Sequence, residues 1–250
     1  MPGPHPPGPG RPVDLSMSGP PVDLSMSGRP VDLSMSGCTA CVLVARDAHV
    51  TVANVGDSRA ALFRASPASA AGAGGKQGGA VSLSAWPLTV DHKPVLPGET
   101  RRILLAGGRL AALSYEDGSE GPVRVWLPSL DLPGLAMSRS LGDTLARRAG
   151  VIGAPDLYTL TLAPADAFLV LASDGLWEFT SPAEVAATLA ATHALAQRTL
   201  AGRPPSAEPP ASHLALALDA LAELAGARWR EREGAVDDIS ILIAEVGSLT

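Results

Sequence analysis

Five consecutive apolar residues, Phe168 to Ala172, run straight into Ser173-Asp174-Gly175, and this junction limits the possible folds more than any other stretch of the chain. An unbroken apolar run of that length suits a strand buried on both faces. A carboxylate at its mouth is costly to bury unless it is paired or bound to a metal, so the fold must supply a partner for Asp174. Asp237 and Asp238 stand in a similar relation to a second apolar strand, "ISILIAEV", which comes immediately after them. Neighbouring strands lie about 4.8 Å apart, and carboxylates at matching ends of two such strands can share a cation. Hard oxygen donors select Mg2+ or Mn2+, ions suited to phosphate chemistry. By spacing alone a second reading stands level with the first: Asp before Gly is common in turns, and Asp237 can cap or end an element.

The remaining pattern gives the fold class. "CTACVLVAR", "HVTVANV" and "RAALFR" read as an antiparallel meander, with Gly56 and Asp57 as a turn and "AWPLTV" resuming the sheet. Gly56, Asp57, Ser58 and Arg59 are expected to form a hairpin with an internal ion pair. "LYTLTL" and "FLVLA" are expected to pair with each other through Pro164 and Asp166, both as central strands. A helix is predicted from Pro97 through "ETRRILLA" to Gly107 and Gly108. Ser181, Pro182 and Glu184 form a capping box that starts a helix over 182–192. Leu214, Leu218, Leu221 and Leu224 mark a further one. Strands thus come in runs and helices in separate runs, which predicts an α+β fold with antiparallel sheets.

A chain of 250 residues, 46% of them hydrophobic, can bury one sizeable core. The net charge of -6 and the lack of a basic run argue against binding to nucleic acid or to an anionic membrane. No apolar stretch approaches the roughly 18 residues of a membrane span, and "MPGPHPPGPGRP" lacks a secretory hydrophobic region, so an intracellular protein, cytoplasmic or nuclear, is expected. Cys38 and Cys41 fall on opposite faces of a strand and read as buried, inert thiols. Residues 13 to 37 hold "VDLSMSG" three times, starting at Val13, Val22 and Val31. We expect 1–37 to be a disordered leader, with flexible insertions at 65–82 and 201–212.

"SGCTA", "VANVGDSRAALFR", "LTVDHKP", "ETRRILLAGGRL", "GLAMSRSLGD", "VIGAPDL", "FLVLASDGLWEF" and "DDISILI" occur in the order found in metal-dependent serine/threonine protein phosphatases of the type 2C, or PPM, family. From Ser36 to about Val246 the chain resembles that family, its plant and algal branch most of all. The resemblance implies an α-β-β-α sandwich of two antiparallel sheets flanked by helices. It implies a dinuclear Mg2+ or Mn2+ centre, a phosphoprotein substrate and a monomeric protein. Asp174 and Asp237 match ligands of one metal ion, Asp238 takes the second place of the late aspartate pair, and Asp91 matches an aspartate associated with a third, loosely held metal. A surface turn before proline is the competing reading for Asp91. Residues 109–150 read as an irregular excursion from the sheet, and 109–136 within them correspond to the family's flap. Asp143 is expected to partner an arginine, Trp177 to anchor the core, and His92 to lie at the surface. The family's bridging Asp-Gly-His segment is absent, and the repeats occupy its place. The chain is therefore expected to be an incomplete form of the domain over 38–250, the alternative being a catalytically inactive relative that binds phosphoproteins.

Overall fold

A computed structural model describes residues 32–66, 82–115, 118, 120–201 and 212–246. In chain order the strands are β1 (Gly37–Cys38), β2 (Ala40–Arg46), β3 (His49–Val55), β4 (Arg59–Ser66), β5 (Ser82–Pro87), β6 (Arg109–Ser114), β7 (Glu120–Trp126), β8 (Pro133–Leu135), β9 (Leu141–Gly142), β10 (Asp156–Thr161), β11 (Asp166–Ala172) and β12 (Ile241–Glu245). The helices are α1 (Pro97–Leu105), α2 (Asp174–Trp177), α3 (Pro182–Ala201) and α4 (His213–Glu233). The class is α+β, as the pattern predicted. The leader and insertions expected at 1–37, 65–82 and 201–212 fall largely outside the described residues.

The chain divides into two compact units, and the division runs through β2, β3 and β10. These three strands form one sheet in the order β10-β3-β2. Unit 1 holds Val52–Asp57, Val90–Thr159 and the residues up to Val42. Its core packs Ile103 of α1 with Val125 and Leu127, against Ala146, Ala149 and Val151. Proline at the start of α1, and the Ala106 cap before two glycines, give that helix the limits its sequence predicted. The irregular excursion expected over 109–150 is regular in part, since its described residues include β6, β7 and β8. They form a three-stranded antiparallel sheet, β6-β7-β8, with Leu110 opposite Val125 and Arg109 opposite Trp126. The turn residues between short apolar pieces hid this ladder.

Unit 2 is built on the antiparallel sheet β12-β11-β4-β5. β11 is central, with Leu169 paired to Ala244 on one side and Leu62 on the other. Phe63, Val170, Leu176, Trp177, Val185, Leu189 and Leu221 form the core between this sheet and the helices. Trp177 is the anchor expected of it: it is buried and its indole N–H donates to the Arg59 carbonyl at 3.1 Å. The capping box opens α3 as predicted, since Glu184 accepts from the Ser181 N–H at 2.9 Å and returns its own N–H to the Ser181 hydroxyl at 3.3 Å. The helix continues past 192 to Ala201, because no glycine or proline interrupts "HALAQRTLA". On α4 the buried stripe is Ala217, Leu221 and Ala225, with Leu214 packed beside it, so two of the four marker leucines sit off the centre of the buried face.

Two expected strand pairings are corrected. β3 and β4 do not form a hairpin and lie in different sheets. Both backbone polar groups of Gly56 are taken by His92, whose Nδ1 accepts its N–H at 3.0 Å and whose N–H donates to its carbonyl at 2.9 Å. Asp57 pairs with Lys93 at 2.6 Å, and Arg59 lies over the Trp177 ring. β10 and β11 also part. Asp166, buried, caps the Ala163 N–H at 2.7 Å and takes Arg64 of β4 at 2.6 Å, which commits β11 to β4. β10 is an edge strand, and so is β12, where Leu242 is 56% exposed.

Candidate metal centre

In unit 2 the pairing of β11 with β12 carries the chain of each strand end toward the other. Ala172 faces Ile241, and beyond them the Ser173 N–H donates to the Ser240 carbonyl at 3.1 Å. The Ser173 hydroxyl accepts from the Ser240 N–H at 3.1 Å and donates to the Asp238 carbonyl at 3.1 Å. Gly175 completes this close approach, because a Cβ there would overlap the Asp238 carbonyl oxygen. The Gly175 carbonyl in turn accepts the Trp229 indole N–H at 2.7 Å, which fixes the turn to α4. Asp174 opens α2 and is half-buried, whereas Asp237 and Asp238 are exposed. The Asp237 side chain accepts the N–H of Asp238 at 2.8 Å, a local turn that orients the pair.

The sequence thus foresaw that the segments bearing Asp174, Asp237 and Asp238 meet at one end of two adjacent strands. Their carboxylates are hard oxygen donors, the kind that hold Mg2+ or Mn2+ through one or two protein ligands completed by water. Among the described residues, however, no group of three or more His, Cys, Asp or Glu side chains is arranged to hold a metal ion.

Asp91 belongs to unit 1. It is half-buried, its carbonyl accepts the Lys93 N–H at 2.9 Å, and its charge acts with burial on the Cys41 thiol, pushing it up to about 11. The two cysteines are free, but they lie on different strands, β1 and β2, and Cys38 is exposed where a buried thiol was expected.

Sequence reasoning missed the most developed polar assembly of unit 1. Glu99, on α1, is buried and accepts Arg102 at 2.7 Å, Arg139 at 2.8 Å and the Ser138 hydroxyl at 2.5 Å. Burial works to raise its pKa, but these bonds outweigh it and hold the carboxyl at about 2. Arg139 extends to Asp156 at 2.8 Å, and Asp156 to His92 Nε2 at 3.1 Å. His92 is therefore not a surface residue. Only 2% of it is exposed, and burial, then the charge of Arg139, lowers its pKa. Asp143 makes no arginine pair among the described residues, and its carboxylate lies against Gly37. The signal available in the sequence was the density of charged residues in "ETRR" and "SRS", but the two motifs meet across some 40 positions, Arg139 reaching Glu99.

The family model for protein phosphatase 2C matches residues 24–201. The match includes Asp91 and Asp174 and ends before Asp237. "Probable protein phosphatase 2C 48" of Oryza sativa subsp. japonica is 44% identical over 147 residues, 59% of this chain and 38% of that one. "Probable protein phosphatase 2C 33" of Arabidopsis thaliana is 40% identical over 152 residues, 61% of this chain and 28% of that one. Among solved structures, a serine-threonine phosphatase 2C from Toxoplasma gondii superposes with a TM-score of 0.60 at 25% identity, covering 83% of this chain and 57% of that one. An α+β chain with antiparallel sheets and aspartates at converging strand ends is thereby placed: it belongs to the protein phosphatase 2C family. The chain spans less than two fifths of the length of the rice relative.

Proposed function

We propose that this chain is part of a metal-dependent protein serine/threonine phosphatase, in which Asp174 and Asp237 hold one Mg2+ or Mn2+ ion and phosphoserine or phosphothreonine in a protein is the substrate. The convergence of the Asp174 and Asp237 segments at the paired ends of β11 and β12 carries the proposal. Bound there, such an ion would polarise a phosphoryl oxygen and acidify coordinated water. The chain's own residues orient the donors: Ser173 ties the two segments together, Gly175 permits their approach, and Trp229 pins the turn. Asp238 serves mainly through its backbone carbonyl, and Asp91 is the weaker candidate, a ligand of a further, loosely held metal. We take the protein to be a monomer in the cytoplasm or nucleus with no nucleic-acid partner. No described helix is long and apolar enough to cross a membrane.

The small donor set favours a second role, in which the chain recognises phosphoproteins without hydrolysing them. Titration with Mn2+, monitored by electron paramagnetic resonance, and hydrolysis of an aryl phosphate separate the two. We expect one Mn2+ bound, its loss in both Asp174→Asn and Asp237→Asn, and little turnover. Absence of Mn2+ binding, or its survival in either variant, refutes the shared ion. Phosphopeptide binding that is indifferent to metal supports the second role.

A further inference from the structure

The third "VDLSMSG" copy is seated on the loop after β9. β1 pairs antiparallel with β9, Gly37 against Gly142 and Cys38 against Leu141. Three successive backbone N–H groups of the loop donate to this copy: Asp143 to the Ser36 carbonyl at 2.9 Å, Thr144 to Leu33 at 2.8 Å and Leu145 to Ser34 at 3.0 Å. The Thr144 hydroxyl adds a bond to the Leu33 carbonyl at 3.1 Å, and the Asp32 carboxylate caps the Ser34 N–H at 2.8 Å. The fit is demanding at two points. A Cβ on Gly37 would overlap the Asp143 carboxylate, and one on Gly142, whose φ is +86°, would overlap the Ser36 carbonyl.

Every group of Asp32–Gly37 that makes these contacts recurs without change at 23–28 and 14–19. The copies differ in the residue after the glycine: Cys38 in the third, Arg29 in the second, Pro20 in the first. The residue in that place pairs with Leu141. Arginine can take a place in a ladder, whereas proline has no N–H to give. We propose that residues 23–28 of the same chain are an alternative occupant of the seat on 142–145, exchanging with residues 32–37 in a nine-residue register shift. With Arg29 opposite Leu141, residues 30–39 would span the distance back to β2. The cost of closing such a loop rises only slowly with its length. A tether this short also gives a millimolar effective concentration, so exchange within one chain prevails over exchange between chains at micromolar protein. The repeat would thereby be a positional switch that sets how much chain emerges before the phosphatase-like fold, independently of any catalytic role.

Disulfide trapping in the full chain tests this, with Cys41 replaced by serine. Cross-strand partners in antiparallel pairs lie within disulfide range, so native Cys38 with Leu141→Cys is the positive control. Arg29→Cys with Leu141→Cys and Cys38→Ser should give an intramolecular disulfide in low yield. The yield should rise several-fold when Gly37→Val blocks the third copy, and Pro20→Cys should trap far less. No disulfide between positions 29 and 141 in either background while the control closes, or cross-linking only between chains, overturns the proposal. Melting temperatures give an independent answer: Gly28→Val alone should change nothing, and adding it to Gly37→Val should lower stability further. If the double variant melts with Gly37→Val alone, the second copy does not use the seat.

Discussion

Replacing Glu99 by glutamine keeps the shape of the buried side chain and removes its charge from between Arg102 and Arg139. The carboxyl is held at about 2 against an ordinary value of 4.5. At about 1.4 kcal/mol per pKa unit this corresponds to about 3 kcal/mol. Arg102 is partly exposed, its side chain 25% accessible, and solvent screening reduces the expected loss to about 2 kcal/mol. The folded-state pKa is depressed, so the stabilisation is complete above 4.5 and is lost as pH falls through about 2. At pH 3 roughly two fifths of it remains. Urea unfolding of both proteins at pH 7 and pH 3 measures the deficit directly, and at neutral pH it should appear as a fall in Tm of roughly 4–8 °C. A deficit under about 0.5 kcal/mol at pH 7, or one of equal size at both pH values, would refute the argument.

Two further outcomes rest on local geometry. Gly175→Ala should destabilise by about 1–3 kcal/mol in urea unfolding, because the added methyl must push the Asp238 carbonyl away from Ser173; a neutral result would mean that the strand ends are loosely held. Cys41, its thiol raised to about 11 by burial and then by Asp91, should resist alkylation at pH 8.5 while exposed Cys38 reacts, with mass spectrometry locating the label.

The limits of α1, the capping box of α3, the central place of β11 and the core role of Trp177 were all legible in the sequence, because each rests on residues within a few positions of one another. The placement of Asp174 and Asp237 at the ends of apolar strands was legible too, since that is a local pattern even when its two instances are 63 residues apart. Strand partnership was not legible. An apolar strand carries the same alternation whichever neighbour it takes, so nothing local separated β3 from β4 or β10 from β11. Single residues mark the choice, His92 taking the Gly56 N–H with its ring and the Gly56 carbonyl with its backbone N–H, and Asp166 reaching Arg64. The Glu99–Arg139–Asp156–His92 chain of contacts was hidden for the same reason, because charge complementarity is defined only once tertiary structure has brought distant residues into one dry space. The sequence by itself determined the main helices, the apolar strands and which carboxylates end up at strand mouths, through short-range sterics and burial, while the β6-β7-β8 ladder escaped it. Tertiary structure alone decided which strands pair and which charges are neutralised, since those depend on contacts that no local pattern encodes.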